Sequence, residues 1–148
     1  MVNILWVDDG IELFTGLRAY LSLEADLSVN AVASYDEGHS ELLKRQTDLF
    51  IFDLILMRDH GHASLKRRLG MELAKVAVAN NVRKFIAYSV LSELEIQRSW
   101  DDAIPAAGIE GERPQLRICR KGNTPVTTVI ANVRSLLAAK AANGKEIG

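Results

Sequence analysis

The chain has 148 residues, 48% of them hydrophobic and 25% charged, with a formal net charge of -1 and a pI near 6.3. That length fits one domain with a substantial buried core, and the near-neutral balance argues against general affinity for nucleic acid or an acidic membrane. Cys119 is the single cysteine, so an internal disulfide is excluded, and its apolar context predicts a buried thiol in a reducing cytoplasm.

Met1 runs almost directly into Ile4-Leu5-Trp6-Val7, which ends in two aspartates and not in the apolar core of a signal peptide. No stretch approaches the roughly 20 apolar residues that span a bilayer. Residues 3–7 read as a first strand ending at Asp8-Asp9. Residues 11–24 read as an amphipathic helix with Ile11, Phe14, Leu17, Leu21 and the stem of Arg18 on one stripe. Leu27–Val32 is a more polar strand, expected near a sheet edge, and Ser34-x-x-Glu37 is a capping box that opens a helix through about Arg45.

Asp48–Phe52 is a third, apolar strand that ends at Asp53. An irregular polar stretch, Arg58–Arg68, precedes a helix over Leu69–Asn80. Within it, His60 and His62 beside Asp59 read as solvated loop residues more readily than as a second metal site, and Lys66-Arg67-Arg68 as the exposed start of a helix. Lys84–Tyr88 is a fourth strand ending at Ser89, and Ser92-x-x-Glu95 caps a helix to about Ala103. After a Pro/Gly-containing segment, Ile104–Pro114, comes a fifth strand, Leu116–Arg120, followed by Lys121. Thr124 as N-cap and Pro125 at the first helical position open a last helix through about Lys140. The domain is read as residues 1–140, with 141–148 as a frayed tail. Trp6 is read as core and Trp100 as a partly buried helix residue.

Strands alternating with helices imply a parallel sheet covered on both faces by right-handed crossovers. Asp8-Asp9, Asp53, Ser89 and Lys121 then emerge at the carboxyl edge, where open doubly wound sheets bind ligands. Clustered carboxylates supply the hard oxygens that suit Mg²⁺. Asp53 is placed as an aspartyl nucleophile for a phosphoryl group, with Lys121 and Ser89 holding phosphoryl oxygens. Two readings compete locally. Asp9-x-x-Glu12 is also a helix-capping pattern, and strand alternation puts Arg120 and Lys121 on opposite faces without saying which points inward.

With Val7-Asp8-Asp9, Phe52-Asp53-Leu54, Ser89 and Lys121 in this order along essentially the whole chain, the sequence resembles the receiver domain of bacterial two-component response regulators. The resemblance implies a flavodoxin-like (βα)5 fold, a doubly wound five-stranded parallel sheet of order 2-1-3-4-5. It implies Asp53 as phosphoacceptor, Ser89 as the switch hydroxyl, and Lys121 as the lysine of the fifth strand. Mg²⁺ would be held by Asp9, Asp53 and the backbone carbonyl of Ile55, with Asp8 acting mostly through water. A histidine kinase or phosphotransfer protein would be the donor and a downstream protein the target. Direct nucleic-acid contact, membrane insertion and enzymatic turnover are not implied, and receivers often form homodimers through the surface near the last helix.

The sequence departs from the family at three places. The loop after the phosphoacceptor usually carries Met-Pro and a glycine soon afterwards; here it reads Met57-Arg58-Asp59-His60, and the matching glycine is Gly70. Gly122 follows Lys121 in place of a proline, and Ile118 stands where an aromatic switch residue is common. These departures keep a second reading alive, a degenerate receiver serving as a phosphorylation-independent interaction module. An aspartyl phosphohydrolase fits less well, because Ile55 occupies the place of its general acid and cannot transfer protons. Ile55 and Leu91, two residues after Asp53 and Ser89, are apolar and predict a long-lived aspartyl phosphate.

Overall fold

Leu49–Phe52 is apolar at every position and buried at every position, as a central strand covered on both faces requires. Around it the computed structural model, which describes residues 1–10, 15–57, 66–67, 69–104 and 114–147, arranges twelve elements in chain order. They are β1 (Val2–Val7), α1 (Thr15–Ser22), β2 (Leu27–Val32), α2 (Tyr35–Lys44), β3 (Leu49–Phe52) and β4 (Leu56–Met57). There follow β5 (Lys66–Arg67), α3 (Gly70–Ala79), β6 (Lys84–Ser89), α4 (Glu93–Ala103), β7 (Gln115–Arg120) and α5 (Val126–Ile147).

Five strands form one parallel sheet in the order β2-β1-β3-β6-β7. Counting the sheet's own strands, that is 2-1-3-4-5, the order expected of a flavodoxin-like fold, and β2 lies at an edge as its polarity predicts. Strand alternation divides the interior into two cores. Leu5, Val7, Phe50, Phe52, Phe85 and Ala87 share one core with α2, α3 and α4 residues such as Leu42, Leu73 and Ile96. Ile4, Trp6, Leu49, Ile51, Ile86 and Tyr88 pack in the other with Leu21 of α1 and Val129, Val133 and Leu136 of α5. Cys119 lies in this second core, 2% exposed, and burial pushes its thiol pKa up, as expected of an inert buried cysteine.

Both capping boxes form. Ser34 Oγ accepts from Glu37 N–H at 3.3 Å and Ser92 Oγ from Glu95 N–H at 3.2 Å, and each hydroxyl in turn donates to the carboxylate of the same glutamate. Four expectations need correction. Lys66-Arg67 is not the start of a helix: it pairs antiparallel with Leu56-Met57 as a two-residue ladder, too short to leave a periodic signal. The last helix begins one residue later than expected, because Pro125 carbonyl accepts from Thr128 and Val129 and so occupies the cap itself. Its backbone stays helical to Ile147, where a frayed tail was expected from residue 141; the Ala-rich run 138–142 has high helix propensity. Trp100 is fully enclosed and not partly buried, its ring edge-on to Phe85 at 5.0 Å.

The readings placed on Ile11, Glu12 and Phe14, on Arg58, Asp59, His60, His62 and Arg68, and on residues 105–113 lie outside the described residues, as do the side chains of Leu17 and Arg18. Among the described residues no helix is long and apolar enough to cross a membrane.

Candidate functional site

Backbone hydrogen bonds carry the sheet past the formal ends of its strands and thereby fix the site. Asp8 N–H donates to Val32 O at 3.0 Å, Asp53 N–H to Val7 O at 3.1 Å, and Lys121 N–H to Ser89 O at 2.9 Å. Each residue singled out at a strand end is therefore held at the carboxyl edge.

Lys121 draws the acidic residues together. Its Nζ lies 3.0 Å from Asp8 Oδ1, 2.8 Å from Asp8 Oδ2 and 2.7 Å from Asp53 Oδ2. Asp8 is completely buried and Asp53 only 5% exposed, so these charge-assisted contacts operate in a largely desolvated setting. Asp8 Oδ1 also accepts from Gly10 N–H at 2.9 Å, and Asp53 Oδ1 from Ile55 N–H at 3.1 Å. Burial pushes the Asp8 carboxyl pKa above its ordinary value despite the pull of Lys121. For Lys121 burial acts against the ammonium, but Asp53 and then Asp8 outweigh it, and its pKa is raised. The two raised values are not the mirror images of a simple ion pair. Asp8 is desolvated more than one shared ammonium repairs, and the neighbouring Asp53 charge adds to its burden.

Asp8, Asp9 and Asp53 each bring a carboxylate oxygen within 4.8 Å of the others. Set against the one Lys121 ammonium, three carboxylates leave an excess of negative charge in a buried site built of hard oxygens. That donor set fits Mg²⁺ or a similar cation. Ile55 follows Asp53 closely enough for its N–H to orient the Asp53 carboxylate.

The competition between Arg120 and Lys121 resolves clearly. Arg120 Nε reaches out to Leu91 O at 3.2 Å, and Lys121 points inward. Ser89 is fully buried at the end of β6, but its hydroxyl is engaged locally, accepting from Leu91 N–H at 3.5 Å, the long limit of a hydrogen bond. The structure thus brings Asp8, Asp9, Asp53 and Lys121 into one cluster and sets Ser89 beside it through the Lys121 N–H.

Two contributors escape a reading of strand ends. Gly70 opens α3 against the loop that follows Asp53, donating its N–H to Leu54 O at 3.0 Å, and a Cβ there would meet Asp53 O at 2.0 Å. Tyr88 lies under Lys121, whose Nζ is 5.6 Å from the ring centroid. Its position just before Ser89, on the last turn of the pleat, was the available signal. Gly122, at φ 84°, turns the chain immediately after Lys121 in the left-handed region that glycine enters without steric cost, which explains a glycine where the family has proline.

No protein-family model and no curated protein sequence matches the chain. Solved structures do match. A CheY-like response regulator receiver domain protein from Methanospirillum hungatei JF-1 superposes with TM-score 0.72 at 17% identity, covering 97% of this chain and 98% of that one. A response regulator receiver protein from Sinorhizobium medicae WSM419 gives 0.68 at 22% identity over 93% and 95% of the two chains. The signal receiver domain of a putative Luxo repressor protein from Vibrio parahaemolyticus gives 0.70 at 14% identity over 99% and 98%. Identities this low speak for architecture alone, and on that level the agreement extends end to end: the chain has the fold of the response-regulator receiver domains.

Proposed function

We propose that the protein is a phosphoacceptor receiver of two-component signal transduction, a cytoplasmic module that takes a phosphoryl group on Asp53 from a histidine kinase or phosphotransfer protein and signals by protein–protein contact. The observation that carries this reading is the Lys121 ammonium shared between Asp8 and Asp53 within a three-carboxylate cluster at the carboxyl edge of a receiver-fold sheet. In the transfer step an Asp53 oxygen forms a bond to phosphorus as the donor's P–N bond breaks; the imidazole nitrogen keeps the electron pair and takes up a proton. Lys121 moves from Asp53 Oδ2 to a phosphoryl oxygen, and Ser89, once released from Leu91 N–H, offers its hydroxyl to another. Mg²⁺, held by Asp9, Asp53 and the Ile55 carbonyl with Asp8 through water, would offset the repulsion between carboxylate and phosphoryl group. Repositioning of Lys121 and Ser89 then shifts the balance between two packings of the loops around them, altering the surface near α4, β7 and α5.

Intact mass after incubation with Mg²⁺ and acetyl phosphate or phosphoramidate tests this directly. The wild type is expected to gain one phosphoryl group and Asp53→Asn none. The β4–β5 ladder inserted between Asp53 and α3 favours one other reading, a degenerate receiver that works as a constitutive interaction module. Mg²⁺ binding with no phosphoryl gain would select it. Multiple-turnover hydrolysis of phosphomonoesters is expected from neither.

The acyl phosphate is expected to be long-lived, because Ile55 offers an attacking water no hydrogen bond. Ile55→Asn should speed dephosphorylation by about three- to tenfold, what one net hydrogen bond of roughly 1 kcal/mol gives a transition state. A time course by intact mass checks it, and an unchanged or slower rate rejects the role given to position 55.

A further inference from the structure

We infer that Tyr88 is a positioning residue for Lys121: its ring is the surface on which the ammonium rests, and it keeps that ammonium in the site when the cluster of Asp8, Asp9 and Asp53 takes up a divalent cation. The second half of this inference rests on the metal-binding part of the proposed function; the first half does not.

Tyr88 is 4% exposed and belongs to the core shared with α1 and α5, yet its ring centroid lies 5.6 Å from Lys121 Nζ, inside the range of a cation–π contact. Trp6 braces the ring edge-on, with centroids 6.4 Å apart and an interplanar angle of 63°. Trp6 lies on β1 two residues before Asp8, which directly follows the strand, so one segment supplies both a carboxylate that binds the ammonium and the support for the ring beneath it. Burial raises the phenol's pKa above its ordinary 10.0, which keeps the ring uncharged through the neutral range.

The contacts on Lys121 respond differently to a metal. Asp8 and Asp53 attract the ammonium strongly at 2.7–3.0 Å while no other cation competes. A dication sharing those oxygens weakens that attraction and repels the ammonium directly. The ring quadrupole of a neutral tyrosine is not consumed in this way, since a hard, hydrated cation prefers the carboxylate oxygens. Tyr88 is thus an attraction that persists at the moment when Lys121 must stay near Asp53 to meet a phosphoryl oxygen.

Side-chain NMR of Lys121 in the wild type, Tyr88→Phe and Tyr88→Leu tests the inference. Ring-current shielding should move the Lys121 ε-methylene protons upfield in the wild type and in Tyr88→Phe, persist on saturation with Mg²⁺, and vanish in Tyr88→Leu. With Mg²⁺ and acetyl phosphate, Tyr88→Leu should accept the phosphoryl group about tenfold more slowly, the size of one desolvated cation–π contact, and Tyr88→Phe within about twofold of wild type. A merely space-filling tyrosine would lower the melting temperature in Tyr88→Leu and leave the rate alone. Unshifted ε-methylene protons in the wild type overturn the inference, whether or not Tyr88→Leu folds. A shift that Mg²⁺ abolishes, or an Mg²⁺ titration that leaves the Asp8, Asp9 and Asp53 resonances unmoved, overturns the second half and leaves the resting contact of Lys121 on Tyr88 standing. A wild type with the shift and the Mg²⁺ response that takes no phosphoryl group supports the inference and removes only the phosphoacceptor reading.

Discussion

Gly70→Ala is expected to destabilise the protein by about 3 kcal/mol, and to loosen the loop that follows Asp53 in whatever remains folded, although Gly70 carries no functional group. A Cβ at this position would sit 2.0 Å from Asp53 O, 2.6 Å from Leu54 Cα and 2.8 Å from the Asp53 carbonyl carbon. All three obstacles are backbone, so no side-chain rotation relieves the clash. Helix α3 would have to withdraw, giving up the Gly70 N–H to Leu54 O hydrogen bond and dragging the fully buried Leu73 and Ala74 out of register with the first core. Urea titration should show a lower midpoint with an unchanged slope. Gly122→Ala is the informative control. Nothing lies within 4 Å of a Cβ there, and the cost is only that of holding alanine at φ 84°, roughly 1 kcal/mol. If Gly70→Ala proves no worse than Gly122→Ala, the close approach of α3 to Asp53 does not constrain the fold.

Gly70 also marks where the sequence stops being readable. The apolar strand runs, the two capping boxes and the polar residues after each strand are local patterns, and each element they announce is present. Gly70 is required by a backbone approach between segments distant in sequence, separated by the stretch that contains β4 and β5, and no local rule reports such an approach. The same reason hides Tyr88. Read along its strand it is one more apolar residue, and only the return of β7 beside β6, with Ser89 opposite Arg120, brings Lys121 over its ring. Alternation separates Arg120 from Lys121 but is silent on direction, because the pleat has two equivalent phases until the neighbouring strand fixes one. The Lys121 N–H to Ser89 O bond is what fixes it. For Ser89 the strand-end position was legible, but its engagement with Leu91 N–H was not, since a buried hydroxyl takes whatever acceptor or donor the following turn supplies.

Lys121→Met should separate the two tasks proposed for this site, holding a cation and accepting a phosphoryl group. The substitution keeps the length and apolar stem of the side chain but removes the ammonium that Asp8 and Asp53 share, leaving a fully buried carboxylate without that compensation. Breaking a buried pair from one side costs about 3–5 kcal/mol at neutral pH. The pH dependence has a definite sign. Asp8 already has a raised pKa in the folded wild type, mainly from burial, and loss of Lys121 raises it further. A carboxyl whose folded pKa is raised favours the native state most below its ordinary 3.8, and that contribution is lost as pH rises through the folded value. Lys121 in the wild type, its pKa also raised, contributes fully below 10.5 and loses its contribution only as pH climbs beyond that. The deficit of Lys121→Met is therefore greatest from neutral to mildly alkaline pH and shrinks toward acid, where protonated Asp8 no longer needs a partner. Mg²⁺ should restore stability in the variant, by about 2.7 kcal/mol at a hundredfold excess over its Kd, and should stabilise the wild type less at the same concentration, because there the ammonium competes for the same carboxylates. Phosphoryl uptake should nevertheless fall by about a hundredfold or more, since a charge stabilising the transferring oxygens is gone. Thermal melts across pH with and without Mg²⁺, paired with intact-mass time courses, read both effects on one variant. A variant as stable as the wild type without Mg²⁺ would show that Lys121 does not balance Asp8, and one phosphorylated at the wild-type rate that it does not meet the phosphoryl group.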